Sequence, residues 1–244
     1  MAGMLALVGS GEYISTMLPL EKQLVTAGLE AECSPKYVQL ATAAGLEGFE
    51  SLAYWKNLGE QQAQRIGIAP VFVEIFNRED AFRSELVSQI SNAALIYLSG
   101  GNPNYLAQTL IGTPALAAIV ASWHAGSSLA GCSAGAMALA GEIANPFKLT
   151  AKAEPGFNIV PNLKVLPHFD RYFGWIPTPA AKLLSKSKSG ALAVGIDENT
   201  ALVSTGDLNF WQVQGLGAVQ LLNGSQRKLA ALADLDVAQE MAQI

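Results

Sequence analysis

The feature that most restricts this chain is an alternation. Short apolar runs rich in Val, Leu and Ile recur at Met4–Val8, Tyr37–Leu40, Val71–Ile75, Ala94–Leu98, Ser128–Ala130 and Leu163–Leu166, with longer mixed segments between the first five. Apolar runs bounded by turn residues read as buried strands. The segments Thr16–Ala27, Glu50–Ile66, Arg78–Ile90 and Pro114–His124 carry apolar residues at helical period, with glycine or asparagine near the far end, and read as helices. Repeated strand–helix–strand units imply an α/β fold: a mainly parallel central sheet flanked by helices and joined by right-handed crossovers. Ligands of such sheets bind at the carboxyl ends of the strands, and function is expected there.

After Thr150 the pattern changes. Ala191–Ile196, Thr200–Ser204, Phe210–Gln214 and Ala218–Leu222 are strand-like and joined by turns containing Glu198-Asn199, Gly206-Asp207 and Gly215-Leu216-Gly217, which predicts a C-terminal antiparallel extension. Gln226–Gln243 reads as a capping helix, and the lysines of Lys182–Ser189 as a solvated helix end. No repeat or linker interrupts the chain, so residues 1–244 are expected to form a single α/β domain.

Composition narrows the function classes. With 50% hydrophobic and 14% charged residues the chain buries a large core and is neither disordered nor a coiled coil. A net charge of −5 offers no footprint for nucleic acid or for an anionic membrane. Leu86–Gly141 contains no Asp, Glu, Lys or Arg, yet Gly, Pro, Ser and Asn interrupt it too often for a membrane span, so it reads as buried. Two cysteines, Cys33 and Cys132, and two histidines leave too few ligands for a disulfide scaffold or a transition metal. The expectation is a protein with no metal and no cofactor, working in a reducing compartment. The start of the chain reads as a first strand rather than a signal peptide, which makes the cytoplasm the expected location; a homo-oligomer stays open.

The strongest local signal is Gly131-Cys132-Ser133-Ala134-Gly135, which follows an apolar run and opens the helix-forming stretch Ala136–Ala140. A G-x-S-x-G in strand–turn–helix context is the pattern of a nucleophile elbow: small neighbours admit a strained serine, and N–H groups at the helix start can stabilise an oxyanion. The bland alternative is a serine capping a helix in a tight turn. A second loop, Ser99-Gly100-Gly101-Asn102-Pro103, follows the strand Ala94–Leu98 in the same sense and supplies the natural second half of an oxyanion hole, or else an ordinary glycine-rich turn. Cys132 reads as a packed thiol. Gly9-Ser10-Gly11 invites a dinucleotide reading and fails it, because Ile14 stands where the third glycine belongs.

A serine nucleophile needs a base, and the chain holds only His124 and His168. His124 closes a helix, where dipole and packing account for it. His168 ends the strand Leu163–Leu166, a position from which a general base can reach a neighbouring strand. For the acid that orients the imidazole, Glu142, Glu154, Asp170, Asp197 and Glu198 compete. Glu198 lies with Asp197 in the turn directly after the strand Ala191–Ile196, which again puts a carboxylate at a strand end and makes Ser133, His168, Glu198 the preferred order, with an acidic hairpin turn as its alternative.

Taken in order, Gly9-Ser10-Gly11-Glu12-Tyr13, Ser99-Gly100-Gly101-Asn102-Pro103, Gly131-Cys132-Ser133-Ala134-Gly135-Ala136, Pro167-His168-Phe169 and Gly195-Ile196-Asp197-Glu198-Asn199-Thr200 resemble the dipeptidase E and cyanophycinase family of serine peptidases. The resemblance covers most of the chain. It implies a class I glutamine amidotransferase-like fold with serine replacing cysteine as nucleophile. It further implies Ser133 as nucleophile, His168 as base, Glu198 as acid, and Gly101 with Ala134 as oxyanion donors. Gly100, Asn102 and Arg171 are further substrate-binding candidates, Arg171 with a surface ion pair as its alternative. The implied activity is hydrolysis of a peptide or amide bond in a small substrate, next to an aspartyl residue; the alternative is a catalytically silent small-molecule binding domain of the same fold. One departure bears on substrate: Asp170-Arg171-Tyr172-Phe173-Gly174-Trp175 stands where cyanophycinases carry a series of arginines, which speaks against cyanophycin.

Overall fold

A computed structural model of the chain describes residues 2–143, 154–172, 190–225 and 227–244. The run at 182–189 and the end of the segment at 170–175 lie outside them. The strands β1 (Leu5–Val8), β2 (Ser34–Leu40), β3 (Ala69–Phe72), β4 (Ala93–Leu98) and β5 (Ser128–Cys132) are all parallel, in the order β3-β2-β4-β5-β1. Between them run the helices α1 (Leu18–Glu30), α2 (Phe49–Ile66), α3 (Ser84–Ile90), α4 (Pro103–Leu110) and α5 (Pro114–His124), and α6 (Ala134–Leu139) follows β5.

The central strands are buried on both faces, so their sequences read as continuous apolar runs rather than alternating ones. Strand β1 nevertheless sorts its side chains by period two. Leu5 and Leu7 join the core under α3, α5 and α6, with Ile90, Ile119 and Leu139. Met4, Ala6 and Val8 join the core under α1 and α2, with Leu20, Leu24 and Ala63.

After a separate two-stranded antiparallel ladder of β6 (Glu142–Ile143) and β7 (Glu154–Pro155), the later strands divide between two sheets. Among them β10 (Thr200–Ser204) pairs antiparallel with β1, and β11 (Phe210–Gly215) and β14 (Asp234–Asp236) continue outward from it. In a second sheet, β8 (Leu163–Leu166) and β9 (Leu192–Ile196) are parallel neighbours, with β12 (Val219–Leu221) and β13 (Lys228–Leu229) added antiparallel. The antiparallel extension is present, split by which edge each strand finds.

Three sequence expectations need correction. The third strand is Ala69–Phe72, not Val71–Ile75, because the chain leaves the sheet after Val73 N–H donates to the Gln39 carbonyl. The helix expected over Arg78–Ile90 begins at Ser84: Asp80 Oδ2 accepts from the Phe76 and Asn77 N–H groups and holds a turn there. Arg78 instead reaches the Gln108 and Ile111 carbonyls at the end of α4. The capping helix over Gln226–Gln243 is replaced by β13, β14 and a short helix Val237–Met241. Leu229 and Leu235 enter the core as strand residues, and edge pairing with β12 and β11 outweighs their helical propensity. Only from Asp236, whose Oδ1 accepts from Gln239 N–H, does the helix start.

Beneath the carboxyl end of the sheet lies a polar cluster. Glu21 on α1 is fully buried; its Oε1 accepts from Tyr13 N–H at 3.2 Å and its Oε2 from the Tyr37 hydroxyl at 2.7 Å. The Tyr13 hydroxyl meets Ser99 Oγ at 2.7 Å. Burial pushes the Glu21 carboxyl up from 4.5 to about 7. A raised carboxyl means that the folded state holds this proton more tightly than the unfolded chain. The stability that Glu21 contributes is therefore full below its ordinary range and lost as pH rises through about 7. Urea unfolding followed from about pH 5 to about pH 7.5 should show wild-type stability falling relative to a Glu21→Gln variant. Parallel curves for the two proteins would mean that another group titrates.

Candidate active site

Strand β5 delivers the chain into Ser133 at φ 50° and ψ −107°, a region that costs an L-residue about 1–3 kcal/mol. The turn is fixed from both sides: Ser133 N–H donates to the Val8 carbonyl at 2.9 Å, and the Ser133 carbonyl accepts from Met137 N–H at 3.0 Å. The two glycines of the pentapeptide are steric necessities. A Cβ on Gly131 would lie 2.5 Å from the Gly135 carbonyl carbon, and one on Gly135 would lie 2.4 Å from the Leu98 carbonyl oxygen. The helix can therefore fold back across β5 and β4 only with hydrogen at both positions.

His168 follows β8, itself at φ 50°, and places Nε2 3.0 Å from Ser133 Oγ. Its Nδ1 lies 2.8 Å from Glu198 Oε1. With a carboxylate accepting at Nδ1, that nitrogen carries the proton and Nε2 is left to accept from the serine hydroxyl. Glu198 reaches His168 because β8 and β9 are parallel neighbours and end together. Two further contacts lock the ends. The Phe169 ring covers Gly195 of β9, where a Cβ would lie 2.2 Å from the ring, and Asp170 Oδ1 accepts from Glu198 N–H at 2.9 Å.

The competing acids go elsewhere. Asp197 points away from His168 and accepts from Ala218 N–H at 3.0 Å, with burial holding its carboxyl above the usual range. Glu142 lies 3.2 Å from Lys164 Nζ, and Glu154 is exposed in the short β-ladder 142–143/154–155. Arg171 Nη1 stands 3.5 Å from Glu198 Oε1, its side chain 65% exposed. His124 is exposed at the end of α5, ahead of β5, whereas Ser133 follows that strand; five strand residues separate the two levels, about 16 Å at 3.3 Å per residue.

The loop after β4 comes alongside the serine: a Cβ on Gly100 would sit 3.6 Å from Ser133 Cβ. Gly101 takes φ 135°, and among the described residues its N–H has no acceptor. Ala134 N–H belongs to the first turn of α6, where no intrahelical acceptor exists. The remaining loop groups are engaged. Asn102 Oδ1 accepts from the Asn104 and Tyr105 N–H groups and caps α4, and Gly100 N–H donates to Glu12 Oε1 at 2.9 Å. Glu12 is the site residue that sequence reasoning missed. The available signal was a carboxylate in the loop after the first strand, at the carboxyl end where function was expected.

Among the described residues no three His, Cys, Asp or Glu side chains group as metal ligands, and no single helix is long and apolar enough to cross a membrane. An α/β sheet carrying a serine in a strained strand–helix elbow, bonded to a histidine and through it to a glutamate, defines the class of serine hydrolases. The chain belongs to peptidase family S51, whose family model matches residues 49–209.

Among relatives, a cyanophycinase from Synechococcus elongatus is 28% identical over 183 residues, 70% of this chain and 55% of that protein. The chain thus spans about half the length of the curated relative it matches. The crystal structure of a peptidase from an acI-B1 Actinobacterium is 43% identical, superposes with a TM-score of 0.90 and covers 97% of each chain. A protein described as a peptidase E from Listeria monocytogenes shares the fold at 19% identity and a TM-score of 0.63, over 89% of this chain and all of that one.

Gly135→Ala tests the elbow. Helix propensity alone favours alanine by about 1 kcal/mol. The clash with the Leu98 carbonyl should reverse the sign and destabilise the protein by roughly 1–3 kcal/mol in urea unfolding. A stabilised variant would show that the turn is looser than described.

Proposed function

We propose that this protein is a serine peptidase that cleaves a peptide or amide bond of a small substrate through an acyl-enzyme on Ser133. The observation that carries this reading is the continuous chain Ser133 Oγ–His168 Nε2 at 3.0 Å and His168 Nδ1–Glu198 Oε1 at 2.8 Å. Family membership and the 43% identical peptidase support it.

His168 Nε2 takes the hydroxyl proton as Ser133 Oγ bonds to the scissile carbonyl carbon. The carbonyl π electrons move to oxygen, and the Gly101 and Ala134 N–H groups stabilise that oxyanion. The intermediate collapses as the C–N bond breaks, and His168 returns its proton to the leaving amine. Water then repeats the sequence on the ester and frees Ser133. Glu198 holds the imidazole in the required tautomer and stabilises its charged form.

The substrate is read as a small peptide with a carboxylate near the cleaved bond, in keeping with the aspartyl preference that the resemblance implies. Arg171 supports this: its guanidinium lies at the long distance of 3.5 Å from Glu198 and is mostly exposed, leaving donors for a second carboxylate. The residues 1–244 are read as one peptidase unit.

A fluorophosphonate probe should label the wild-type protein on Ser133 and leave Ser133→Ala unlabelled. On a panel of α- and β-aspartyl dipeptides, Ser133→Ala should lower kcat by roughly ten-thousand-fold or more while unfolding at the same urea concentration. Labelling at Cys132, or a fully active alanine variant, would remove the serine from the chemistry.

The acid is tested separately. Glu198→Gln should lower kcat about a thousand-fold, because an amide cannot stabilise the imidazolium. Asp197→Asn and Glu142→Gln should stay near wild type; loss of activity in either, with Glu198→Gln active, would move the acid.

A further inference from the structure

Glu12 belongs to no step of that chemistry, yet it touches both halves of the proposed oxyanion site. Its Oε1 accepts from Gly100 N–H at 2.9 Å, and its Oε2 accepts from the Cys132 thiol at 2.8 Å. Gly100 precedes one oxyanion donor, Gly101; Cys132 lies two residues before the other, Ala134. One carboxylate therefore joins the loop after β4 to the last residue of β5, beyond the point, Leu98 opposite Gly131, at which the pairing of the two strands ends.

The need for such a brace lies in the glycines. The peptide that carries Gly101 N–H runs between Gly100 and Gly101, and two adjacent glycines leave it almost free to rotate. It is held from its far side by Asn102 N–H donating to the Ala43 carbonyl at 2.8 Å, and from its near side by Gly100 N–H donating to Glu12. Between these two bonds, Gly101 N–H is the group left to face a ligand. On the elbow side, Ser133 N–H is bonded to the β1 carbonyl of Val8, and Glu12 sits four residues further along the same chain. Glu12 is held in turn by its neighbour: Tyr13 adopts φ 65°, donates its N–H to buried Glu21 and its hydroxyl meets Ser99 Oγ. Gly100 is itself fitted to the contact, because a Cβ there would lie 2.8 Å from Glu12 Oε1.

We infer that Glu12 is a positioning residue that sets the spacing between the Gly101 and Ala134 N–H donors, so that both reach one oxyanion. The inference rests on the serine peptidase reading above. Misplacing a reacting or stabilising group by about 1 Å can cost on the order of a hundred-fold in rate, and such a loss falls on the transition state rather than on substrate binding.

The test uses the full chain and three variants. Glu12→Ala should lower kcat by roughly ten- to a hundred-fold with KM within about twofold, and should weaken a peptide boronate, which is tetrahedral at the serine, by the same factor. Glu12→Gln keeps an acceptor for Gly100 N–H and should recover most of that loss. Gly100→Ala leaves Glu12 in the chain but drives its carboxylate away, and should reproduce the alanine effect; it decides the matter if Glu12→Ala does not fold. A raised KM at unchanged kcat would make Glu12 a substrate contact instead. Wild-type kcat in both Glu12→Ala and Gly100→Ala would overturn the inference. Fluorophosphonate labelling separates the two levels: a wild-type protein that does not label at Ser133 sinks the peptidase reading, whereas a labelled wild type with equally fast Glu12 variants sinks only the brace.

Discussion

At the carboxyl end of β5 the backbone turns from strand to helix within one residue, and Ser133 is held there at φ 50°. The turn exists because α6 lies against β5 and β4 at distances that exclude a Cβ at Gly131 and Gly135. Everything else at the site is arranged around that fixed oxygen. The N–H of Ala134 has no intrahelical acceptor because the helix has just begun, and the Ser133 hydroxyl meets His168 from a neighbouring strand. Strain stored at one residue is affordable only in surroundings that over-determine it, and here the bonds to Val8 and Met137 do so.

What the neighbouring strands bring comes from a different sheet. His168 and Glu198 are carried by β8 and β9, which pair with each other rather than with the central sheet. Their parallel pairing ends both strands together and puts the imidazole beside the carboxylate. The Phe169 ring on Gly195 and the Asp170 contact to Glu198 N–H then fix the pair laterally. The alignment of Ser133, His168 and Glu198 in this chain is thus a consequence of how two sheets meet, with β10 and β9 joined through the short turn that contains Glu198.

Under the site the polar groups form a connected layer rather than isolated exceptions in an apolar core. Glu21, Tyr13, Tyr37 and Ser99 bond one to another, and Glu12 links that layer to Gly100 and Cys132. Cys132, next to Ser133 in sequence, is fully buried, and burial together with Glu12 raises its thiol well above the ordinary value, so it stays protonated and serves as a donor. Buried polar networks of this kind specify a single arrangement because each member left unpaired is costly.

The sequence by itself determined the alternating α/β architecture, since burial on both faces forces continuous apolar strands and helical period forces amphipathic connectors. It also determined that Ser133 would sit in an elbow, because the glycines that permit the turn are local. His168 and Glu198 were legible as strand-end residues, though nothing local separated Glu198 from Asp197, its neighbour in the turn between β9 and β10. Tertiary structure alone decided that β9 and β12 leave the main sheet, that Leu229 and Leu235 pair as strands instead of continuing a helix, and that Glu12 meets Gly100 across 88 residues of chain. The physical reason is common to all three: edge pairing and carboxylate contacts between distant segments depend on which surfaces the packed core leaves adjacent, and no residue carries that information in its own neighbourhood.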